Sequence, residues 1–187
     1  AAIWKAKKKG IPFRNKHMTL YNFISKEVSA ILKTATRIGK KQKGGNILGK
    51  SLTRKIIESH YVSGSLVPGE EVFIKVDQTL THDINAVMTY LAFEAIGLDR
   101  VRTECSVSYL DHNLLYVDHK TPDDHIYLTS AAKKFGVYVS RPGNGICHTV
   151  HVARFGAPGK ISMGGDSHTP HGGSIGMLCI GVGGMDV

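Results

Sequence analysis

From Asn46 onward the chain alternates short β-branched runs with stretches of helical periodicity, and this alternation most constrains the fold. Residues 72–76 (VFIKV), 101–109, 137–139 and 161–163 read as strands. The pieces between them read as helices. Residues 48–59 place Leu52, Ile56 and Ile57 on one face. Residues 82–96 carry a stripe of Ile84, Val87, Met88 and Leu91, with Thr81 as the expected cap and Gly97 as the stop. Residues 121–136 open with Thr121, Pro122, Asp123 and Asp124: a capping hydroxyl, a proline at the first position and acids at the positive end of the dipole. A short helix is expected at 146–155, and turns at 67–69 and 141–145. Strands that alternate with helices form a mostly parallel α/β sheet covered on both faces, a three-layer α/β/α arrangement.

Such a sheet binds ligands in the loops that follow its strands. The segment 165–170 (GDSHTP) follows the strand at 161–163 and sets a carboxylate, a hydroxyl and an imidazole on Asp166, Ser167 and His168. The apolar run 177–182 behind it reads as a buried helix. Asp111 and His112 follow the strand at 101–109, and a carboxylate beside an imidazole fixes its tautomer and favours its protonated form. His148 and His151 lie three apart, a spacing that shares a helix face. Asp111, His112, His148, Asp166 and His168 therefore all fall near strand-end loops and together compose an acid–base site. For any one of these histidines a surface or core role stays open, and Asp166 with Ser167 also suits a helix cap. The dipeptide recurs as Asp118-His119, so it is weak evidence alone. The glycine-rich run 172–184 lacks the Lys-Ser/Thr of a phosphate loop and reads as close helix packing. No H-E-x-x-H and no C-x-x-C occur, so no metal ligands are assigned.

Charge divides the chain. Residues 1–55 hold fifteen Lys or Arg against one acid, Glu27, whereas the remainder is mildly acidic and holds nine of the ten histidines. Any nucleic-acid role must rest on the front end alone. The division is drawn as a basic tail over 1–44, without globular character apart from an amphipathic pattern at 18–38, and an α/β domain over 45–187. Met18 is a candidate start. The front end reads as a tail, or a partner-binding or membrane-surface helix, and a tail or a stretch that is not native coding sequence ranks ahead of a nucleic-acid site. No apolar stretch is long enough to cross a bilayer. Three cysteines with no short metal spacing and no secretory segment point to free thiols in a reducing, cytoplasmic setting.

Six segments in one order, VDQTLTHD, SYLDHN, SRPGNGICH, RFGAPGK, GDSHTPHGG and IGVGGMDV, resemble the aconitase family of iron-sulfur hydro-lyases. The likeness runs from about residue 45 to 187, and RPGNGICH with DSHTPHGG resembles bacterial-type aconitate hydratases more than isopropylmalate isomerase large subunits. It implies the family's N-terminal (iron-sulfur) domain in incomplete form. It implies interconversion of citrate and isocitrate through cis-aconitate, with a [4Fe-4S] cluster as cofactor. Homoaconitase and the 3-isopropylmalate dehydratase large subunit are the alternative relatives, and an inactive fragment with a nucleic-acid-binding N-terminus is a third reading. By the resemblance, Asp111 and His112 are the proton-donating pair, His148 pairs with Asp166, and Ser167 contacts a substrate carboxylate. His168 holds water, oriented by a Glu outside this chain. His82 and Asn85 stand where the family carries a substrate-binding Gln and a Thr. Cys105, Cys147 and Cys179 do not match the cluster-ligand positions, so the resemblance describes the first part of a longer enzyme, inactive by itself.

Overall fold

The computed structural model describes residues 49–187; the expectations for the basic tail and for the 18–38 helix lie outside them. Two compact units divide after Lys75. In the first, α1 (Leu52–Ser59) is capped by Ser51, whose hydroxyl accepts the Arg54 N–H at 3.2 Å, and it buries Ile56 and Ile57. A hairpin of β1 (Tyr61–Gly64) and β2 (Val72–Ile74) follows, antiparallel, with β2 ending two residues earlier than its pattern suggests. Arg54 joins the helix to the turn by donating to Glu58 and to the Leu66 carbonyl.

The second unit, Val76–Val187, is built on a five-stranded, wholly parallel sheet. Its strands are β3 (Gln78–His82), β4 (Cys105–Tyr109), β5 (Tyr138–Ser140), β6 (Ile161–Gly164) and β7 (Leu178–Gly181). Between them run α2 (Ala86–Ile96), α3 (Lys120–Phe135), α4 (Cys147–Phe155) and a 3-10 helix, Thr169–Ile175. Across the sheet the order is β5-β4-β3-β6-β7. The chain steps outward from β3 to β5, then returns to the other side of β3. The loops leaving β3 and β6 therefore diverge, and this is the switch point at which open α/β sheets form a crevice.

Each face of the sheet buries its own cluster. On one side Ala86 and Tyr90 of α2 meet Leu128, Ala131, Ala132 and Phe135 of α3, closed by Leu110 and Val137. On the other, Leu80, Val107 and Tyr109 pack with Cys147, Val150 and Phe155 of α4. Burying a large apolar side chain contributes roughly 1.5–3 kcal/mol, which explains why both layers are retained. The unit is the three-layer α/β/α sheet that the alternation predicts.

Two elements differ in kind from the sequence reading. The expected helix from 82 is a strand through His82, and helix α2 begins only at Ala86, with Asn85 at its cap position. Gln78–His82 is the central strand, hydrogen-bonded on both sides, so four of its five residues are buried and no alternation marks it. The apolar run expected as a helix is β7, four residues long and paired with β6 in register from Ile161 opposite Leu178. The glycine at 172 serves this packing: a Cβ there would strike the Cys179 thiol. Smaller shifts concern boundaries. β4 starts at Cys105, β5 lies one residue later than expected, and α3 begins at Lys120, where Asp118 accepts the backbone N–H at 3.0 Å.

Candidate active site

The loops after β3, β4 and β6 and the start of α4 converge at the switch point. Asp111 follows β4 and is nearly buried; its Oδ1 lies 2.9 Å from His112 Nδ1. A carboxylate only accepts, so Nδ1 carries the hydrogen and Nε2 is left for a ligand. Asp166 follows β6 and repeats the arrangement: its Oδ1 lies 2.7 Å from His148 Nδ1. The site thus contains two aspartate–histidine dyads, each with Nε2 turned away from its carboxylate. One residue links them. Cys147 gives its backbone N–H to Asp111 Oδ2 and its thiol to Asp166 Oδ1 at 3.1 Å. Cys147 is the first residue of α4, where backbone N–H groups have no helical partner, so a carboxylate is a favourable acceptor there.

Each dyad histidine also stacks on a second histidine. His112 lies over His82 with ring centroids 4.2 Å apart, and His148 over His168 at 4.8 Å. The two outer rings differ. His82 is only 7% exposed, whereas the His168 ring is 72% exposed. Burial, then the neighbouring His112, holds His82 below the usual histidine range, against the pull of Asp111, Asp166 and Asp83. Its Nε2 donates to the Gly165 carbonyl at 3.1 Å, as does Asn85 Nδ2, and among the described residues His82 Nδ1 and Asn85 Oδ1 are buried with no hydrogen-bond partner. Burial would raise the Asp166 carboxyl. The His168 N–H, the Cys147 thiol and His148 outweigh it and hold the group well below the usual carboxylate range. Asp166 is therefore a fixed anion at neutral pH.

Of the residues expected from the sequence, Asp111, His112, Asp166, Ser167 and His168 lie in the loops after β4 and β6, His82 ends β3 and His148 is in the first turn of α4. Ser167 is exposed, its hydroxyl 3.4 Å from His168 Nδ1. His151 turns the other way despite its spacing from His148. It lies in the core, with Tyr109 and Gln78 bonded to its two nitrogens at 3.0 and 3.1 Å. Asp118-His119 sits at an exposed helix start. Sequence reasoning missed Asp83, His125 and the bridging role of Cys147. The misplaced helix start hid Asp83, because it assigned that residue to a first helical turn. A carboxylate directly after a central, mostly buried strand was the available signal.

Three groups bring potential ligand atoms within 4.8 Å: His82, Asp83 and His112; Asp111, His112 and Cys147; Cys147, His148 and Asp166. The carboxylate in each is already bonded to an imidazole or an N–H, so a metal would have to displace those bonds. The iron-sulfur cluster implied by the resemblance needs thiolates. Cys105 on β4, Cys147 on α4 and Cys179 on β7 do not fit it. Among the described residues no potential ligand group contains two of them. Burial pushes all three thiols up, Cys179 to about 11.

The profile of the aconitase family (aconitate hydratase) matches residues 54–187. The chain is 33% identical over 158 residues to an aconitase–ribosomal protein bL21m fusion protein of Schizosaccharomyces pombe, covering 73% of this chain and 17% of that protein. It is 29% identical over 194 residues to the mitochondrial homocitrate dehydratase of Saccharomyces cerevisiae, covering 91% of this chain and 24% of that protein. It is 32% identical over 150 residues to a 3-isopropylmalate dehydratase large subunit of Sulfurihydrogenibium sp., covering 75% of this chain and 33% of that protein. The chain thus spans a third or less of the length of these relatives.

Proposed function

The chain belongs to the aconitase family, and from that premise we propose that it supplies the acid–base wall of a hydro-lyase acting on citrate and isocitrate through cis-aconitate. The observation that carries the reading is the pair of aspartate–histidine dyads joined through Cys147 at the sheet's switch point.

Loss of water from a 2-hydroxy acid breaks a C–O bond, and hydroxide is a poor leaving group unless it takes up a proton as it departs. His112 delivers that proton from Nε2 while Asp111, bonded at Nδ1, stabilises the charged ring. In the reverse direction the same nitrogen accepts the proton from water. His148 holds its Nε2 toward the crevice in the same way, fixed by the Asp166 anion. Ser167 and His168, both exposed beside it, offer a hydroxyl and an imidazole to a substrate carboxylate. In this reading the base that removes the carbon-bound proton, the arginines that clamp the substrate and the thiolates of the cluster come from polypeptide outside residues 1–187. The 187-residue chain alone is inactive.

His82 favours a second reading. It occupies the place of a family substrate contact but is almost buried under His112, which alters the floor of the crevice. Relatives named for homocitrate and for 3-isopropylmalate match at similar identity. A hydro-lyase for one of those hydroxy acids is the alternative. Dehydration rates of the intact enzyme on citrate, homocitrate and 3-isopropylmalate decide between them: the proposal expects the largest kcat/KM for citrate, and a larger value for either other acid replaces it with the second reading. The three free thiols suit a reducing compartment, the cytoplasm in this proposal. Fractionation of the source cells tests that, since the yeast relative is named mitochondrial.

A further inference from the structure

We infer that Asp83 and His125 are positioning residues for His112, forming a buried polar clamp that sets the loop after β4. The inference rests on the reading of His112 as proton donor and extends it to two residues that do not touch the crevice. The Asp83 side chain is fully buried, and among the described residues its only ion-pair partners are histidines. It is the acceptor for three donors. Oδ1 takes the His112 N–H at 3.1 Å, while Oδ2 takes the Asn113 N–H at 2.8 Å and His125 Nε2 at 3.1 Å. Because the carboxylate only accepts, His125 carries its hydrogen on Nε2, and its Nδ1 faces the Tyr116 hydroxyl at 3.0 Å.

The clamp therefore grips one loop at two places: the amides at 112–113 through Asp83, and Tyr116 through His125. It joins three elements, since Asp83 follows β3, the loop follows β4, and His125 is a buried residue of α3. Among the described residues, no buried apolar side chain at 112–117 of this loop does the same work. Leu114 and Tyr116 are about half exposed, and Leu115 and Val117 are 86% and 90% exposed. With Leu115 and Val117 in solvent and Leu114 and Tyr116 only half covered, the loop is held by polar bonds, and those bonds fix where His112 Nε2 stands. A displacement of about 1 Å in a reacting group costs on the order of 10²-fold in rate.

The test compares wild type with Asp83→Asn, His125→Leu, His125→Gln and Tyr116→Phe in the intact enzyme. Asn cannot accept both amides and the imidazole N–H, because one of its two heads is a donor. Leu removes the imidazole donor, whereas Gln can keep a donor toward Asp83. We expect kcat for cis-aconitate hydration to fall roughly 10- to 100-fold in D83N and H125L, with KM within about twofold of wild type. Tyr116→Phe should lower kcat less, and H125Q should return to within about threefold of wild type. Amide hydrogen exchange should quicken at 112–113 while β3, β4 and α3 keep their protection. Unchanged kcat in H125L, or protection lost evenly across β3, β4 and α3, would overturn the inference. If wild type shows no hydro-lyase activity, the functional reading fails while the exchange arm still decides the clamp: faster exchange confined to 112–113 upholds it, and unchanged exchange sinks it.

Discussion

Asp166 receives three donors, two from the start of α4 and one from its own loop: the His148 ring, the Cys147 thiol and the His168 backbone. Its charge is thereby fixed and its position over-determined, which suits a group that must orient an imidazole without being protonated by it. Asp166→Asn replaces one acceptor oxygen by a donor and removes the charge opposite His148. We expect kcat to fall by roughly 10²- to 10⁴-fold, the usual range for lost acid–base catalysis, with circular dichroism showing a retained fold. A kcat within threefold of wild type would remove His148 from the chemistry. Residue chemistry was the most legible layer in the sequence. Asp111-His112 and Asp166-Ser167-His168 stand in consecutive positions, and loops after strands need no long-range information to be suspected. Asp83, His125 and Cys147 were not legible in this way. Apart from the Tyr116–His125 bond, which spans nine positions, their significance lies in bonds to residues between 19 and 42 positions away, which no local spacing encodes.

The elements show the same division. Helix positions were legible through their terminal glycines, and Gly97 and Gly136 do end α2 and α3 in left-handed geometry, but the stripe expected for α2 was wrong: Ile84, Met88 and Leu91 are exposed, and Ala86 and Tyr90 are the buried residues. β3 was not, because a central strand buried on both faces loses the alternation that marks a half-buried one. β7 was misread for a related reason: a short apolar run fits a strand and a buried helix equally until its partner strand is known. Close approach of β6 to the loop after β3 leads to a test at this scale. A Cβ on Gly165 would lie 2.6 Å from Asn85 Nδ2. Gly165→Ala should therefore cost about 1–3 kcal/mol of stability by urea titration, the usual effect of overpacking, and an unchanged midpoint would contradict the packing described. The interior of the α4 layer leads to another. Burial holds His151 at about 4, below its ordinary 6.5, and its neutral ring bonds Tyr109 and Gln78. Between those values the unfolded chain takes up a proton and the folded one does not, so stability is lost as pH falls from about 6.5 toward 4. This group alone should make the fold about 2 kcal/mol less stable at pH 5 than at pH 7. His151→Gln should flatten that slope, and an identical slope in the variant would show that another group sets it.

For the molecule as a whole, the proposal divides the labour: the described residues would supply acid–base groups, and the thiolates of an iron-sulfur cluster would come from elsewhere. The three thiols are separate and raised by burial, so anaerobic treatment of this chain with ferrous iron and sulfide should yield no stable cluster; a stoichiometric [4Fe-4S] spectrum would refute the division. The central claim is that the two dyads act together in adding and removing water. The most direct measurement is steady-state hydration of cis-aconitate by the intact enzyme, comparing wild type with His112→Asn and His148→Asn. The account predicts turnover by wild type and a loss of about 10²-fold or more in kcat for each variant, with folding unchanged. Wild-type rates in both variants, or no turnover of cis-aconitate by wild type under conditions where its cluster is intact, would contradict it.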